Sequence, residues 1–287
     1  KLRRPGVDVL GGRSISLGMA PLSGAEIVEG LDLRFSLERG MLPFVQTDRS
    51  NAEAILGAYV STYLKEEIRE EGIVRRVPPF VRFLAVAGVL NGQILESSNV
   101  ARDAAVPRST VDTYFSILED TLVGHMLPAW QPGLKVRERG RPKFYWFDPG
   151  VARAAAGLHH DPPDRSWLGF ALETLVFHEL RVRNEVSGRH RPVSHYRTAA
   201  GVDIDFIVET RMGRPGSPAR LVCIEVKLAS RWDPGWETAM RSLAAMPGVK
   251  VERMIGVYTG PRALARDRVD VLPYGEFLRR LHAGELF

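Results

Sequence analysis

One cysteine, Cys223, stands in 287 residues, so no internal disulfide staples this chain. That count fits a reducing compartment, and a cytoplasmic location is expected. Its neighbours in Leu221-Val-Cys-Ile224 make it a small packing residue rather than a nucleophile. No apolar run approaches the roughly 20 residues of a membrane-spanning helix, and the opening Lys-Leu-Arg-Arg-Pro-Gly does not read as a secretory signal. No membrane partner is therefore expected. Nowhere does Gly-x-x-x-x-Gly-Lys-Ser/Thr occur, which excludes a phosphate-cradling P-loop from this sequence. Neither sign of charge dominates: 39 lysines and arginines meet 34 acids, for a net +5. Such a balance permits nucleic-acid binding, and only its distribution argues for it.

What the chain does have is an ordinary soluble composition, 45% hydrophobic and 25% charged, over a length sufficient for two cores. Its most informative stretch is Gly201-Val-Asp-Ile-Asp-Phe-Ile-Val-Glu209, followed by Leu221-Val-Cys-Ile-Glu-Val-Lys-Leu228. Both runs alternate as strands do. Val202, Ile204, Phe206 and Val208 are expected on one face, with Asp203, Asp205, Ile207 and Glu209 on the other. Thr210–Arg220 suits a hairpin connection. If Glu209 pairs with Leu221, Asp205 falls opposite Glu225, with Cβ atoms about 5 Å apart. Like charges repel there, and a divalent cation would reverse the sign of that term. A slip of one residue would turn one carboxylate away.

A helix capped by Ser166 and running to about Arg183 brings a third acid. Leu168, Leu172, Leu175 and Val176 form its core side, and at 100° per residue Glu173 also falls on a largely apolar face. This order, helix-Glu then strand-Asp then strand-Glu-x-Lys, resembles the PD-(D/E)XK nuclease superfamily, particularly its Holliday-junction-resolvase-like branch. The resemblance implies that Glu173, Asp205 and Glu225 hold Mg2+ or Mn2+, with Lys227 completing the catalytic set beside the attacking water. Asp203 is a near neighbour able to assist Asp205. A buried ion-pair network that only stabilises the fold is the competing reading of the same residues.

Upstream, Asn51–Glu71 reads as a helix, and the pattern turns compact from Pro78. Phe80–Leu90, a short helix from Ser97 or Ser98 to Ala104, and Thr110–Leu122 describe a helix-turn-helix. Arg108, Ser109, Thr110 and Thr113 would open its recognition helix. Strands Gly124–Trp130 and Lys143–Phe147 then flank the densest basic run; Arg137, Arg139 and Arg141 are expected on or near the wing of a winged helix, and Lys143, which opens the second strand, is expected to bind DNA with them. Packing against a partner domain, without DNA, is the alternative. Further strands are expected over Ser194–Thr198, Val251–Tyr258 and Val269–Leu272, with helices over Trp236–Met246 and Tyr274–Leu281. The expected fold class is α/β overall: a helical winged-helix module, then a mixed-sheet restriction-endonuclease-like domain. The boundaries are 1–50 as a lid segment, 51–77 as a connecting helix, 78–150 as the winged helix, 151–165 as a linker and 166–287 as the nuclease-like domain.

Leu10-Gly-Gly-Arg-Ser-Ile-Ser-Leu17, Tyr59-Val-Ser-Thr-Tyr-Leu-Lys-Glu-Glu-Ile68 and Leu118-Glu-Asp-Thr-Leu-Val123 carry a second resemblance. With Gly201-Val-Asp-Ile-Asp-Phe206 and Ile224-Glu-Val-Lys227 they are similar to the C-terminal part of prokaryotic AAA-type ATPases that end in a domain of unknown function. Asp203 departs from the glutamate usual there but keeps the acid. The resemblance implies that ATP belongs to a missing N-terminal core, a partner in cis, and that this chain alone neither binds nor hydrolyses it. Three functions follow: a DNA-binding region with a Mg-dependent nuclease, a non-catalytic DNA- or protein-binding regulatory module, or an oligomerisation scaffold of the ATPase.

Overall fold

The computed structural model describes residues 18–27, 30–64, 77–131, 140–198, 201–214 and 217–287. The Leu10–Leu17 stretch, the later part of the helix expected over 51–71, and Arg137 and Arg139 lie outside them. The described chain is α/β, a helical part followed by a mixed-sheet part. No helix among the described residues is long and apolar enough to cross a membrane.

The helical part begins earlier than the sequence pattern suggests. Helices α1 (Leu33–Arg39), α2 (Pro43–Thr47) and α3 (Ala52–Ala58) bury Leu37, Met41, Val45 and Leu56 in the main core. Residues 33–58 thus contribute side chains to that core. Asp32 caps α1 by accepting from Phe35 N–H at 3.0 Å. Next come α4 (Val77–Val89), the two-residue strand β1 (Gln93–Ile94), α5 (Ser97–Asp103) and α6 (Arg108–Asp120). Strands β2 (Gly124–Leu127) and β3 (Lys143–Trp146) join β1 in an antiparallel sheet of order β1-β3-β2. Phe83 packs edge-on against Phe115, and Phe115 against Phe144, which seats α4 and α6 on this sheet.

Helix α7 (Pro149–Ala155) runs into the segment expected as a linker, and every one of its residues is buried. Asp148 starts it by accepting from Val151 N–H at 2.9 Å, and also accepts from Met41 N–H at 2.5 Å. The proline at its first position supplies the backbone angle a helix needs there. Backbones close in tightly at this point: a Cβ on Gly150 would lie 2.0 Å from the Arg39 carbonyl oxygen. Gly150→Ala is therefore expected to lower stability by about 1–3 kcal/mol despite alanine's better helix propensity. A urea midpoint equal to that of the parent protein would count against this packing.

Helix α8 (Arg165–Ser187) is the spine of the molecule. Its cap is Asp164, not Ser166, accepting from Trp167 N–H at 2.7 Å, and Gly188 ends it at a left-handed φ of 63°. Residues 174–180 are buried without a break, as expected of a helix enclosed on all sides. One side meets the helical part and the other meets a six-stranded sheet. That sheet has the order β4-β5-β6-β7-β9-β8, from β4 (Val193–Arg197), β5 (Asp203–Arg211), β6 (Ala219–Lys227), β7 (Val249–Tyr258), β8 (Leu264–Arg266) and β9 (Val269–Pro273). β6, β7 and β9 run parallel, and the other neighbours antiparallel. Helix α9 (Thr238–Ala244) connects β6 to β7, and α10 (Tyr274–Ala283) follows β9. Phe206, Val222, Ile224 and Val226 belong to the α8 core, whereas Ile204, Ile207, Cys223 and Met240 form a second core.

Candidate functional site

The β5–β6 hairpin pairs Glu209 with Leu221 and runs regularly to Phe206 opposite Ile224. Continued by one step, that register would bring Asp205 opposite Glu225. The other edge of β5 is irregular. Against β4, Ile207 pairs with Ser194 and Ile204 with Tyr196, so β5 holds one extra residue between these pairs. Such a bulge breaks the expected alternation, which is why Ile204 and Phe206 pack into different cores. It also turns Asp205 so that Oδ2 accepts from the Val226 N–H at 2.8 Å.

Glu173, Asp205, Glu225 and Lys227 converge, but through two lysines rather than one. Lys227 Nζ pairs with Glu225 Oε1 and stands 3.8 Å from Asp205 Oδ2. Lys143 Nζ lies 3.3 Å from Glu173 Oε2 and 3.4 Å from Asp205 Oδ1. Tyr145 donates its hydroxyl to Glu173 Oε2 at 2.8 Å. The result is an alternating row: Glu173, Lys143, Asp205, Lys227, Glu225. Three carboxylates face two ammonium groups, so one negative charge is left over if all are ionised.

Lys143 corrects the sequence expectation. Instead of being open to DNA, it is buried on β3, its side chain only 8% exposed. Its strand lies in the small sheet, so the helical part sends a cation into the acid cluster of the large one. Tyr145, two residues on, was not singled out by sequence at all. Its ring packs 5.1 Å from that of Phe177 and 6.0 Å from that of Phe206, placing α8, β3 and β5 in one aromatic cluster. Backbone bonds close the same junction: Trp130 N–H donates to His195 O at 2.6 Å, and His195 N–H to Pro128 O at 2.9 Å.

The electrostatics follow from this enclosure. Burial, then Asp205, pushes the Glu173 carboxyl up to about 7, with Lys143 and Tyr145 pulling the other way. Burial and Asp205 likewise hold Glu225 well above the usual carboxylate range. For both lysines burial opposes the charge, yet the neighbouring acids outweigh it and hold their ammonium groups raised. Glu225 Oε2 is buried with no hydrogen-bond partner among the described residues. An all-carboxylate donor set is what Mg2+ or Mn2+ prefers. Asp205 and Glu225 fit such an ion, and the unpartnered oxygen is a ready ligand. The Glu173 arm fits less well, because the Lys143 ammonium already stands between it and Asp205. Among the described residues, no three His, Cys, Asp or Glu side chains form a group that could hold an ion.

The other expected DNA-contacting residues among those described take no part in this cluster. Arg108, Ser109 and Thr113 are exposed at the start of α6, and Thr110 is half-buried. Arg141 is exposed and pairs with Glu96, the residue before α5. Asp112, Glu119 and Asp120 are exposed on α6 too, so its charge is not uniformly basic.

Residues 168–277 match a domain of unknown function, DUF4143. That domain is found in C-terminal regions associated with AAA-type ATPases. Residues 30–161 match a second domain of unknown function, DUF8612. The two matches divide the chain between the helical part and the mixed-sheet part, and Lys143 crosses from the first to meet acids of the second. Neither the curated proteins nor the solved structures gave a match.

Proposed function

We propose that this chain is a non-cleaving, DNA-holding regulatory region of an AAA-type ATPase, in which a nuclease-like domain is fastened shut by a winged helix. The observation that carries this reading is Lys143 between Glu173 and Asp205. An ammonium there neutralises the acids that a catalytic ion would need, and it comes from a strand packed into a continuous core. Only Lys227, with its side chain 29% exposed, reaches solvent appreciably; Asp205 and Glu225 are nearly sealed. Among the described residues, those two carboxylates present almost no surface to a phosphodiester. The acids then act as a structural latch.

The winged-helix reading rests on α5, the turn at Val106–Pro107, α6 and the β2–β3 hairpin, with exposed Arg108, Ser109 and Thr113 at the start of α6. Fluorescence anisotropy with a labelled duplex tests it. Affinity is expected to fall linearly with salt on logarithmic axes. Arg108→Ala with Arg141→Ala should reduce the slope by about 0.9 for each phosphate that the protein no longer neutralises. An unchanged slope removes this surface from the account.

A metal-dependent nuclease is the second reading. The unpartnered Glu225 Oε2 and the raised Glu173 and Glu225 favour it, since all three would be relieved by an added cation. In that reading Asp205 and Glu225 would hold the ion, Glu173 could join them only with Lys143 displaced, and the Lys227 ammonium would steady charge on the phosphate.

A further inference from the structure

The arginines in the second half of α8 and just beyond it take no part in the latch. Arg181 and Arg191 line a cavity of about 380 Å3, bounded on other sides by Met19, Pro21, Leu122 and Phe147. Its size lies within the ~300–1,000 Å3 of small-molecule sites. Among the described residues neither guanidinium has a hydrogen bond or an ion pair; each has only an aromatic ring beneath it. Arg181 lies 6.0 Å from the Phe177 ring centre and Arg191 lies 5.2 Å from that of Phe287.

A guanidinium carries five donors, and a part-buried one ordinarily finds an acceptor. The acid on this wall, Glu185, accepts from the Gly18 N–H at 3.2 Å. Burial pushes Arg181 down to about 10, and Glu185 offsets only part of that. An incoming anion would supply the missing charge and acceptors. The rest of the wall has a different character: Leu122 is 58% exposed and Met19 is more so, beside the half-buried Phe147. Exposed apolar side chains next to arginines that have no acceptor among the described residues suit a ligand with a charged head and a flat apolar body.

We infer that this cavity binds a small phosphate monoester, with Arg181 and Arg191 on the phosphate and Leu122 and Phe147 against its body. The planar fork of arginine matches phosphate oxygens in pairs, and such charge-assisted bonds are the strong ones. The inference does not rest on the latch or on DNA binding.

Isothermal titration of the whole chain with adenosine 5′-monophosphate, inorganic phosphate and adenosine provides the test. The monophosphate is expected to bind, phosphate to bind about tenfold or more weakly than it, and adenosine not to bind measurably. Arg191→Gln is expected to weaken the monophosphate by about tenfold or more. Arg181→Lys keeps the charge but loses the fork, and is expected to weaken binding while preserving the fold. No binding of either phosphate at millimolar concentration would overturn the inference. So would adenosine binding as well as its monophosphate, phosphate binding as well as the monophosphate, or unchanged affinity in both variants.

Discussion

Replacing Lys143 with methionine is expected to lower the unfolding free energy by about 3–5 kcal/mol. The substitution keeps the apolar stem and removes the ammonium that bridges Glu173 and Asp205 at 3.3 and 3.4 Å. Glu173 then keeps only the Tyr145 hydroxyl, and Asp205 keeps the Val226 N–H and the more distant Lys227 ammonium at 3.8 Å, so both acids stay buried with reduced compensation. Breaking one side of a buried ion pair costs far more than the pair contributes against an apolar substitute. The double variant Lys143→Met with Glu173→Gln removes one of the stranded charges and should recover part of the loss, a coupling of roughly 0.5–3 kcal/mol. Denaturant unfolding of the four proteins measures this. A loss within about 0.5 kcal/mol, the range of ordinary surface substitutions, would mean that the latch does not hold the two parts together.

The second large effect concerns pH. Glu173 is held up to about 7 in the folded protein against an ordinary value of 4.5. Between those values the folded state keeps a proton that the unfolded chain releases. Its contribution is therefore fully present below about pH 4.5 and is lost as pH rises through about 7. Other groups titrate in the same window, Asp148 being pushed up to about 6 by burial. The difference between the parent protein and Glu173→Gln isolates Glu173. Glutamine is expected to gain relative to glutamate across this window by on the order of 1–3 kcal/mol. Parallel stability curves from pH 4.5 to 7 would show that the Glu173 carboxyl is not held up by its surroundings.

Much of the large sheet was legible because its signals are local. The alternation around Asp205 and Glu225 needed only the two strands themselves, and the Glu209–Leu221 register followed from the connecting hairpin. Helical phase placed Glu173 for the same reason. The bulge in β5 was not legible, since it depends on how β4 pairs with the opposite edge. Nor was the role of Lys143. A lysine at the end of a basic run reads as solvated, and its partners lie 30 and 62 residues away. Helix α7 was underread, although Asp148 and Pro149 are a cap and a favoured first residue. Its alanine-rich sequence gives little amphipathic pattern, because all of its sides are buried.

The central claim is that the acid cluster latches the two parts and does not cut. The direct measurement is cleavage of branched, single-stranded and double-stranded DNA in Mg2+ and in Mn2+, with Asp205→Ala and Lys227→Ala alongside. No cleavage by the parent protein above the level of either variant is expected. Metal-dependent cleavage by the parent protein that disappears in both variants would contradict it.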